Sequence, residues 1–107
     1  MRKLKKENFY HGILLGLLSY EEDWIVTSNA ESGHGYSHIL VEIEDEDTGI
    51  VIEIKYAENN ALDAACADAM RQIEEKRYEE RFRLEGMNKI LKSGIACYKK
   101  RCKVIFS

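Results

Sequence analysis

The 107-residue chain contains no proline, so no proline-rich linker divides it into separate domains. Its longest apolar run, residues 12–20, is far shorter than the about 20 residues that a membrane-spanning helix needs. Acidic residues follow this run where a signal peptide would have small residues at a cleavage site. These absences predict one cytoplasmic domain over residues 1–107 that does not interact with membranes.

Cysteine is scarce, and its three positions do not pair off. Cys66, Cys97 and Cys102 are an odd number, and no two of them have the two-residue spacing of a zinc knuckle. The spacing therefore favours small core side chains in a reducing compartment over a disulfide framework or a zinc site.

Acidic residues are missing from both ends of the chain. All 19 Asp and Glu residues lie between Glu7 and Glu85, whereas residues 1–6 and 86–107 carry only basic charge. If the two basic ends meet in space, they form a positive stripe that could contact phosphates. The alternative is that the ends only balance the acidic middle of the chain.

Hydrophobic periodicity predicts the order α-β-β-β-α-β-β, an α+β domain resembling an α/β sandwich with a central mixed sheet. The predicted helices cover residues 4–20 and about 60–85. A glycine-bearing loop is expected at residues 30–37 and a turn at residues 45–48. The predicted strands are residues 23–29, 38–44, 49–57, 89–98 and 102–106.

The strand "GIVIEIKYA", residues 49–57, carries two charges among Ile and Val. Alternation places Glu53 and Lys55 on one face, where they form either a salt bridge on a half-exposed strand or part of a site in a water-accessible cleft. A four-residue turn predicts an antiparallel hairpin in which Leu40 is opposite Glu53 and His38 is opposite Lys55. His38 would then be a diagonal neighbour of Glu53, about 7–8 Å away.

The segments "ENFYHGILLGLL", "ESGHGYSHIL", "VIEIKYA" and "ADAMRQIEEKRY" together resemble the PD-(D/E)XK nuclease superfamily. More closely, they resemble the nuclease-like domain at the C-terminus of bacterial and archaeal AAA-ATPase-like proteins. The resemblance covers residues 7 to about 104 and implies a restriction-endonuclease-like core. It also implies metal-dependent hydrolysis of DNA or RNA, and an ATPase module in relatives.

The resemblance assigns roles to individual residues. Glu53 would be a metal ligand and catalytic carboxylate, Lys55 the catalytic lysine, and the Ile54 carbonyl a further ligand. Gln72 matches a glutamine on the helix that follows the E-x-K strand. Lys76, one helical turn on, and nearby Tyr78 would position groups or contact phosphate; the alternative for Gln72 and Lys76 is a solvated helix face.

One position departs from the family pattern E-S-G-x-G-x-x-D, because His38 stands where aspartate is expected. Mg²⁺ prefers oxygen ligands, so an imidazole should weaken its binding, whereas Mn²⁺ or a transition metal tolerates nitrogen. Glu31, seven residues earlier, could supply a replacement carboxylate or could be a solvated loop residue.

The resemblance thus implies a metal-dependent endo- or exonuclease that uses Mg²⁺ or Mn²⁺ and acts on DNA in preference to RNA. The basic turn at Lys99, Lys100 and Arg101 would help to hold the nucleic-acid backbone. The alternative is a catalytically inactive nuclease fold that binds nucleic acid or a protein partner. A homodimer and a fragment separated from an ATPase module are further alternatives.

Overall fold

The computed structural model describes the backbone of residues 2–31 and 35–107, and the side chains of residues 6–29 and 38–107. Three α-helices, five strands and a 3₁₀ turn follow one another in these ranges. In chain order they are α1 (Arg2–Leu18), β1 (Trp24–Glu31), β2 (Gly35–Ile43), the 3₁₀ turn (Glu44–Glu46), β3 (Thr48–Tyr56), α2 (Leu62–Lys76), α3 (Glu80–Leu84), β4 (Lys89–Tyr98) and β5 (Arg101–Phe106).

The five strands form one mixed sheet in the order β1-β2-β3-β4-β5. Strands β1, β2 and β3 are joined as antiparallel neighbours, and β4 and β5 form an antiparallel hairpin. Strands β3 and β4 are parallel, because the chain crosses one face of the sheet through α2 and α3 before returning as β4. The predicted α+β class and mixed sheet are therefore confirmed.

Helices cover both faces of the sheet. The first face packs against α1 through a core that includes Ile39, Val41 and Ile52. The second face packs against α2 and α3, where Val51 meets Ile73 and Phe82. Strand β3 is consequently buried on both sides over most of its length, so the alternative of a half-exposed strand with a surface salt bridge is wrong.

The predicted helix at about 60–85 is two helices in the structure. Arg77 ends α2 in the left-handed conformation, with φ 53° and ψ 47°, and its amide donates to the Ile73 carbonyl. The chain then turns into α3, which buries Phe82 completely against the sheet. Periodicity missed this break because both pieces keep an apolar face towards the sheet, and no glycine or proline marks the junction.

Two expectations about the antiparallel strands also need correction. His38 is directly opposite Glu53, and Leu40 is opposite Val51, a shift of two residues from the predicted register that leaves every side chain on its predicted face. The expected loop at residues 30–37 is shorter, because β1 and β2 remain paired as far as Glu31 and Gly35. Residues 32–34 of that loop lie outside the described residues.

His11 is a structural residue of the core. Its side chain is buried, and Nε2 lies 2.7 Å from the Ser28 hydroxyl on β1. Burial lowers the pKa of His11, which favours the neutral imidazole in the folded protein. In the part of the chain that the structure describes, no helix is long and apolar enough to cross a membrane.

We expect Gly49→Ala to destabilise the domain, because a Cβ at Gly49 would lie 2.5 Å from Cδ2 of Phe82. Forcing a methyl group into this contact should lower the free energy of unfolding by about 1–3 kcal/mol, measured by urea denaturation. Gly12→Ala is the matched control, because a Cβ there meets nothing within 4 Å. The control should stabilise α1 by up to about 1 kcal/mol. Equal stability of Gly49→Ala and wild type would contradict the Phe82 packing.

Candidate active site

The polar groups of β2 and β3 meet on the sheet face that α2 covers. His38 is directly opposite Glu53 in the antiparallel pair, which places their Cβ atoms about 4.5–5.5 Å apart. Lys55 is two residues beyond Glu53 and therefore shares its face. The prediction that His38, Glu53 and Lys55 share one face is confirmed, and the corrected register brings His38 closer to Glu53 than the sequence indicated.

The amide of Gln72 on α2 links the two charged residues of β3. Its Oε1 accepts a hydrogen bond of 2.5 Å from Lys55 Nζ, and its Nε2 donates to Glu53 Oε1 at 3.3 Å. A planar amide offers an acceptor and a donor in fixed relative positions, so it can orient an ammonium and a carboxylate at once. This bridge shows that Gln72 faces the sheet, so the solvated-face alternative for Gln72 is wrong.

Tyr78 connects the Gln72 bridge to His38. The Tyr78 hydroxyl accepts a 3.0 Å hydrogen bond from Gln72 Nε2. Its ring stacks on the His38 imidazole, with centroids 3.6 Å apart and planes inclined by 14°. Such stacking restrains the imidazole to one plane, and its two ring nitrogens point outward within that plane. The left-handed Arg77 that ends α2 precedes Tyr78 directly and turns it towards the sheet.

Glu53 is buried, with only 2% of the residue exposed, which makes the expectation of a water-accessible cleft wrong for this carboxylate. Lys55, Gln72 and Tyr78, which are joined to Glu53 through the Gln72 amide, are half-buried. Removing a carboxylate from water is costly unless hydrogen bonds or positive charge compensate. The Gln72 bridge and nearby Lys55 provide part of that compensation.

A glycine lets α2 approach the sheet at this point. Gly94 on β4 is the parallel partner of Glu53. A Cβ at Gly94 would lie 3.0 Å from the Cys66 carbonyl and 3.1 Å from Ala69 Cβ, both on α2. Because the helix packs this closely, Gln72 one turn further along α2 reaches Glu53 and Lys55.

Asn29 belongs to the same row of side chains, although sequence reasoning did not identify it. It lies on β1 directly opposite His38, so Asn29, His38 and Glu53 occupy adjacent positions across three strands. Its Nδ2 is buried and has no hydrogen-bond partner among the described residues. Only the β1–β2 register reveals this position, since a lone asparagine near the end of a strand carries no distinguishing pattern.

The residues present offer an incomplete set of metal ligands. Glu53 supplies one carboxylate and His38 one imidazole, and the backbone carbonyl of Ile54 lies between Glu53 and Lys55 in the chain. The side chain of Glu31 lies outside the described residues. Among residues 6–29 and 38–107, no group of three or more His, Cys, Asp or Glu side chains could hold a metal ion. One oxygen ligand and one nitrogen ligand fit Mn²⁺ or another transition metal ion better than they fit Mg²⁺.

The two basic ends of the chain meet beside Tyr56, at the end of β3 that carries Lys55. Lys6 Nζ lies 5.5 Å from the centre of the Tyr56 ring, and the Lys99 amide donates to the Tyr56 hydroxyl at 3.4 Å. Lys99 and Lys100 form the turn between β4 and β5, and both are exposed. The expectation that the two ends could meet is therefore confirmed for Lys6 and Lys99.

The remaining basic residues have varied surroundings. Arg101 begins β5, and its Nη1 donates to Asn60 Oδ1 at 3.0 Å. Lys92 pairs with Glu74 and Glu79, and Lys103 pairs with Asp63, so both balance acidic residues of α2 and its C-terminal turn. Lys76 is exposed at the last residue of α2.

If the Glu53 charge serves a ligand and not the fold, removing it should not weaken the domain. We expect Glu53→Gln to be at least as stable as wild type in urea denaturation at pH 7, because the glutamine oxygen can still accept from Gln72. A loss of about 3–5 kcal/mol would identify Glu53 as a structural charge.

Glu79→Gln is the matched control. Burial raises the pKa of Glu79, but hydrogen bonds from its own backbone and from Lys92 outweigh that effect and lower it overall. Its charge therefore stabilises the fold at pH 7, and we expect its removal to cost about 1–3 kcal/mol.

Comparison with known proteins agrees with this geometry. The family model described as the PD-(D/E)XK nuclease superfamily matches residues 5–107. Comparisons with curated proteins and with solved structures found no significant match. The family match covers nearly the whole chain, and the mixed five-stranded sheet with helices on both faces agrees with a restriction-endonuclease-like core. Members of this superfamily generally use divalent metal ions. The chain belongs to the PD-(D/E)XK nuclease superfamily.

Proposed function

We propose that this domain is a metal-dependent nuclease that hydrolyses phosphodiester bonds of nucleic acid. The observation that carries the proposal is the Gln72 amide, which links Lys55 and Glu53 while its neighbour Tyr78 stacks on His38. Val or Ile at the positions of a buried carboxylate and a half-buried lysine would give a strand of similar or greater stability. Stability of the fold therefore does not explain these two charged residues. Their assembly with Gln72 and His38 is typical of a catalytic site.

Hydrolysis of a phosphodiester requires a nucleophilic water and stabilisation of the negative charge that develops on the phosphate. In the proposed mechanism, Lys55 Nζ orients the attacking water and donates to a non-bridging phosphate oxygen. Gln72 Oε1 restricts the position of the ammonium, and the rigid β3 strand fixes its distance from Glu53. Water loses one proton to solvent as it adds to phosphorus, the bond to the leaving oxygen breaks, and that oxygen takes up a proton from solvent.

The metal would be held by Glu53, His38 and the Ile54 carbonyl. When bound there, a divalent ion lowers the pKa of a coordinated water and offsets the charge on the phosphate. With one carboxylate in the described set, we expect activity with Mn²⁺ to exceed activity with Mg²⁺. Glu31 remains a candidate for a second carboxylate.

The basic surface beside Tyr56 supports a path for the nucleic-acid backbone. Lys6 lies over the Tyr56 ring, and Lys99 and Lys100 form the adjacent turn, at the end of β3 that carries Lys55 but on the side of the sheet that α1 covers. A bound strand would therefore cross this end of the sheet to reach the site. Lys76, Tyr78 and Arg101 are further candidates for phosphate contacts.

We propose DNA, in preference to RNA, as the substrate. A cytoplasmic location, a homodimer and an ATPase partner stay predictions.

A second candidate function is binding of nucleic acid without cleavage. Two observations favour it: Glu53 is buried, and His38 replaces the aspartate of the family pattern. Such a domain would keep the basic surface and show salt-sensitive binding, with no hydrolysis in any divalent metal.

The direct test is cleavage of plasmid DNA and of labelled DNA and RNA oligonucleotides in Mn²⁺ and in Mg²⁺. We expect wild type to cleave in Mn²⁺ and Lys55→Met to lose at least about a hundredfold in rate, or about 2.7 kcal/mol, because the lysine acts on the reacting phosphate. Lys103→Met, which removes a lysine paired with Asp63, is the matched control and should retain wild-type activity. Binding without cleavage by the wild type would favour the second candidate.

We also expect His38→Asp to bind Mg²⁺ at least tenfold more tightly, about 1.4 kcal/mol, because aspartate places a second hard oxygen opposite Glu53. Calorimetric Mg²⁺ titration of both proteins measures this change, with the cleavage assay run beside it. Cleavage in Mg²⁺ should appear or rise if Lys55 and Gln72 remain in place. Equal Mg²⁺ affinity would show that position 38 is not a ligand position.

A further inference from the structure

Two cysteines face each other on the hairpin of β4 and β5, on the opposite face of the sheet from the candidate active site. Cys97 and Cys102 are direct partners in the antiparallel register, and their sulfur atoms lie 3.3 Å apart. Both side chains line a small apolar cavity of about 160 Å³ beneath α1. Their sequence spacing of five residues gave no sign of this contact, because it depends on the turn at Lys99 and Lys100.

The backbone geometry suits a disulfide bond between them. The pair Tyr98 and Arg101 closes the two-residue turn, and Cys97 and Cys102 form the next pair along the hairpin. Opposed residues of an antiparallel pair have Cα atoms about 4.5–5.5 Å apart, within the range that disulfides span. A disulfide is about 2.05 Å long, so the two sulfur atoms need to approach by only about 1.2 Å.

The two thiols differ in accessibility. Cys102 is exposed, contrary to the expectation that all three cysteines are core residues, whereas Cys97 is 3% exposed. Burial and the adjacent Cys102 thiol raise the pKa of Cys97 to about 12, so Cys97 is a poor nucleophile towards reagents in solution. Cys66 is a separate buried thiol, whose Sγ contacts the carbonyls of Gly94 and Lys103.

We propose that Cys97 and Cys102 are a reversible redox pair that a low-molecular-weight disulfide such as oxidised glutathione converts to a disulfide. The Cys102 thiolate attacks one sulfur of the reagent, forms a mixed disulfide and releases one reagent thiol. Cys97 then attacks Cys102 Sγ, losing its proton to solvent as the sulfur–sulfur bond forms, and the second reagent thiol leaves as a thiolate that takes up a proton. The two protein thiols are oxidised, and the reagent disulfide is reduced to two thiols.

The disulfide would lock the edge hairpin of the sheet and the basic turn that joins its strands. Strand β5 has a neighbour on one side only, so its attachment depends on pairing with β4. The Tyr10 hydroxyl already donates to the Lys99 carbonyl, which holds α1 against the same turn. The pair lies on the α1 face, so the cross-link acts on the hairpin whether or not the domain cleaves nucleic acid.

The test is intact-mass analysis of the native protein after incubation with oxidised glutathione. We expect wild type to lose two hydrogens without retaining glutathione, and peptide mapping to join Cys97 to Cys102. Reduction with dithiothreitol should restore the original mass, and the oxidised form should melt a few degrees higher than the reduced form. Retention of both thiols, or a stable glutathione adduct on wild type, would overturn the proposal.

Single substitutions separate the two steps. Cys97→Ser should accumulate a glutathione adduct at Cys102, because the second thiol that would release it is missing. Cys102→Ser should remain unmodified at Cys97, because that thiol is buried. Cys66→Ser is the matched control and should form the disulfide as wild type does. Rapid modification of Cys97 in Cys102→Ser would contradict the proposed order of attack.

Discussion

Glu53 and Lys55 occupy a strand that helices cover on both faces, and the rest of the site depends on how their charges are accommodated there. The Gln72 amide accepts from the lysine and donates to the carboxylate, so a single side chain of α2 orients both. That contact requires α2 to lie close to the sheet, which Gly94 permits because any larger residue would meet the helix backbone. The fold and the site therefore share one constraint, the distance between α2 and the centre of the sheet.

The break after α2 serves packing and the site together. The left-handed Arg77 lets the chain change direction, and Tyr78 then stacks on His38 while Phe82 packs over Gly49. A single continuous helix would carry Tyr78 and Phe82 along one straight axis. The unfavourable backbone conformation at Arg77 is thus balanced by the packing of the two aromatic side chains that follow it, half-buried Tyr78 and fully buried Phe82.

The sequence predicted the five strands and the shared face of His38, Glu53 and Lys55, because strand alternation depends only on local spacing, but it merged α2 and α3 into one helix. The predicted register of β2 on β3 differed from the observed one by two residues. A shift of two residues keeps every side chain on the same face, so only the length of the turn distinguishes the two registers. Asn29 and the contact between Cys97 and Cys102 depend on pairing between strands. The roles of Gln72 and Tyr78 came from the family resemblance, and the structure shows only that both contact the site.

The central claim is that the side chains of His38 and Glu53 bind one divalent metal ion. Anomalous diffraction from crystals of the protein soaked in Mn²⁺ tests it most directly, because it locates the ion without requiring activity. The account predicts a Mn²⁺ peak within coordination distance of a Glu53 carboxylate oxygen and a His38 ring nitrogen, and loss of that peak in Glu53→Gln. A fully soaked crystal with no Mn²⁺ at these residues, or with Mn²⁺ bound only elsewhere, would contradict the account.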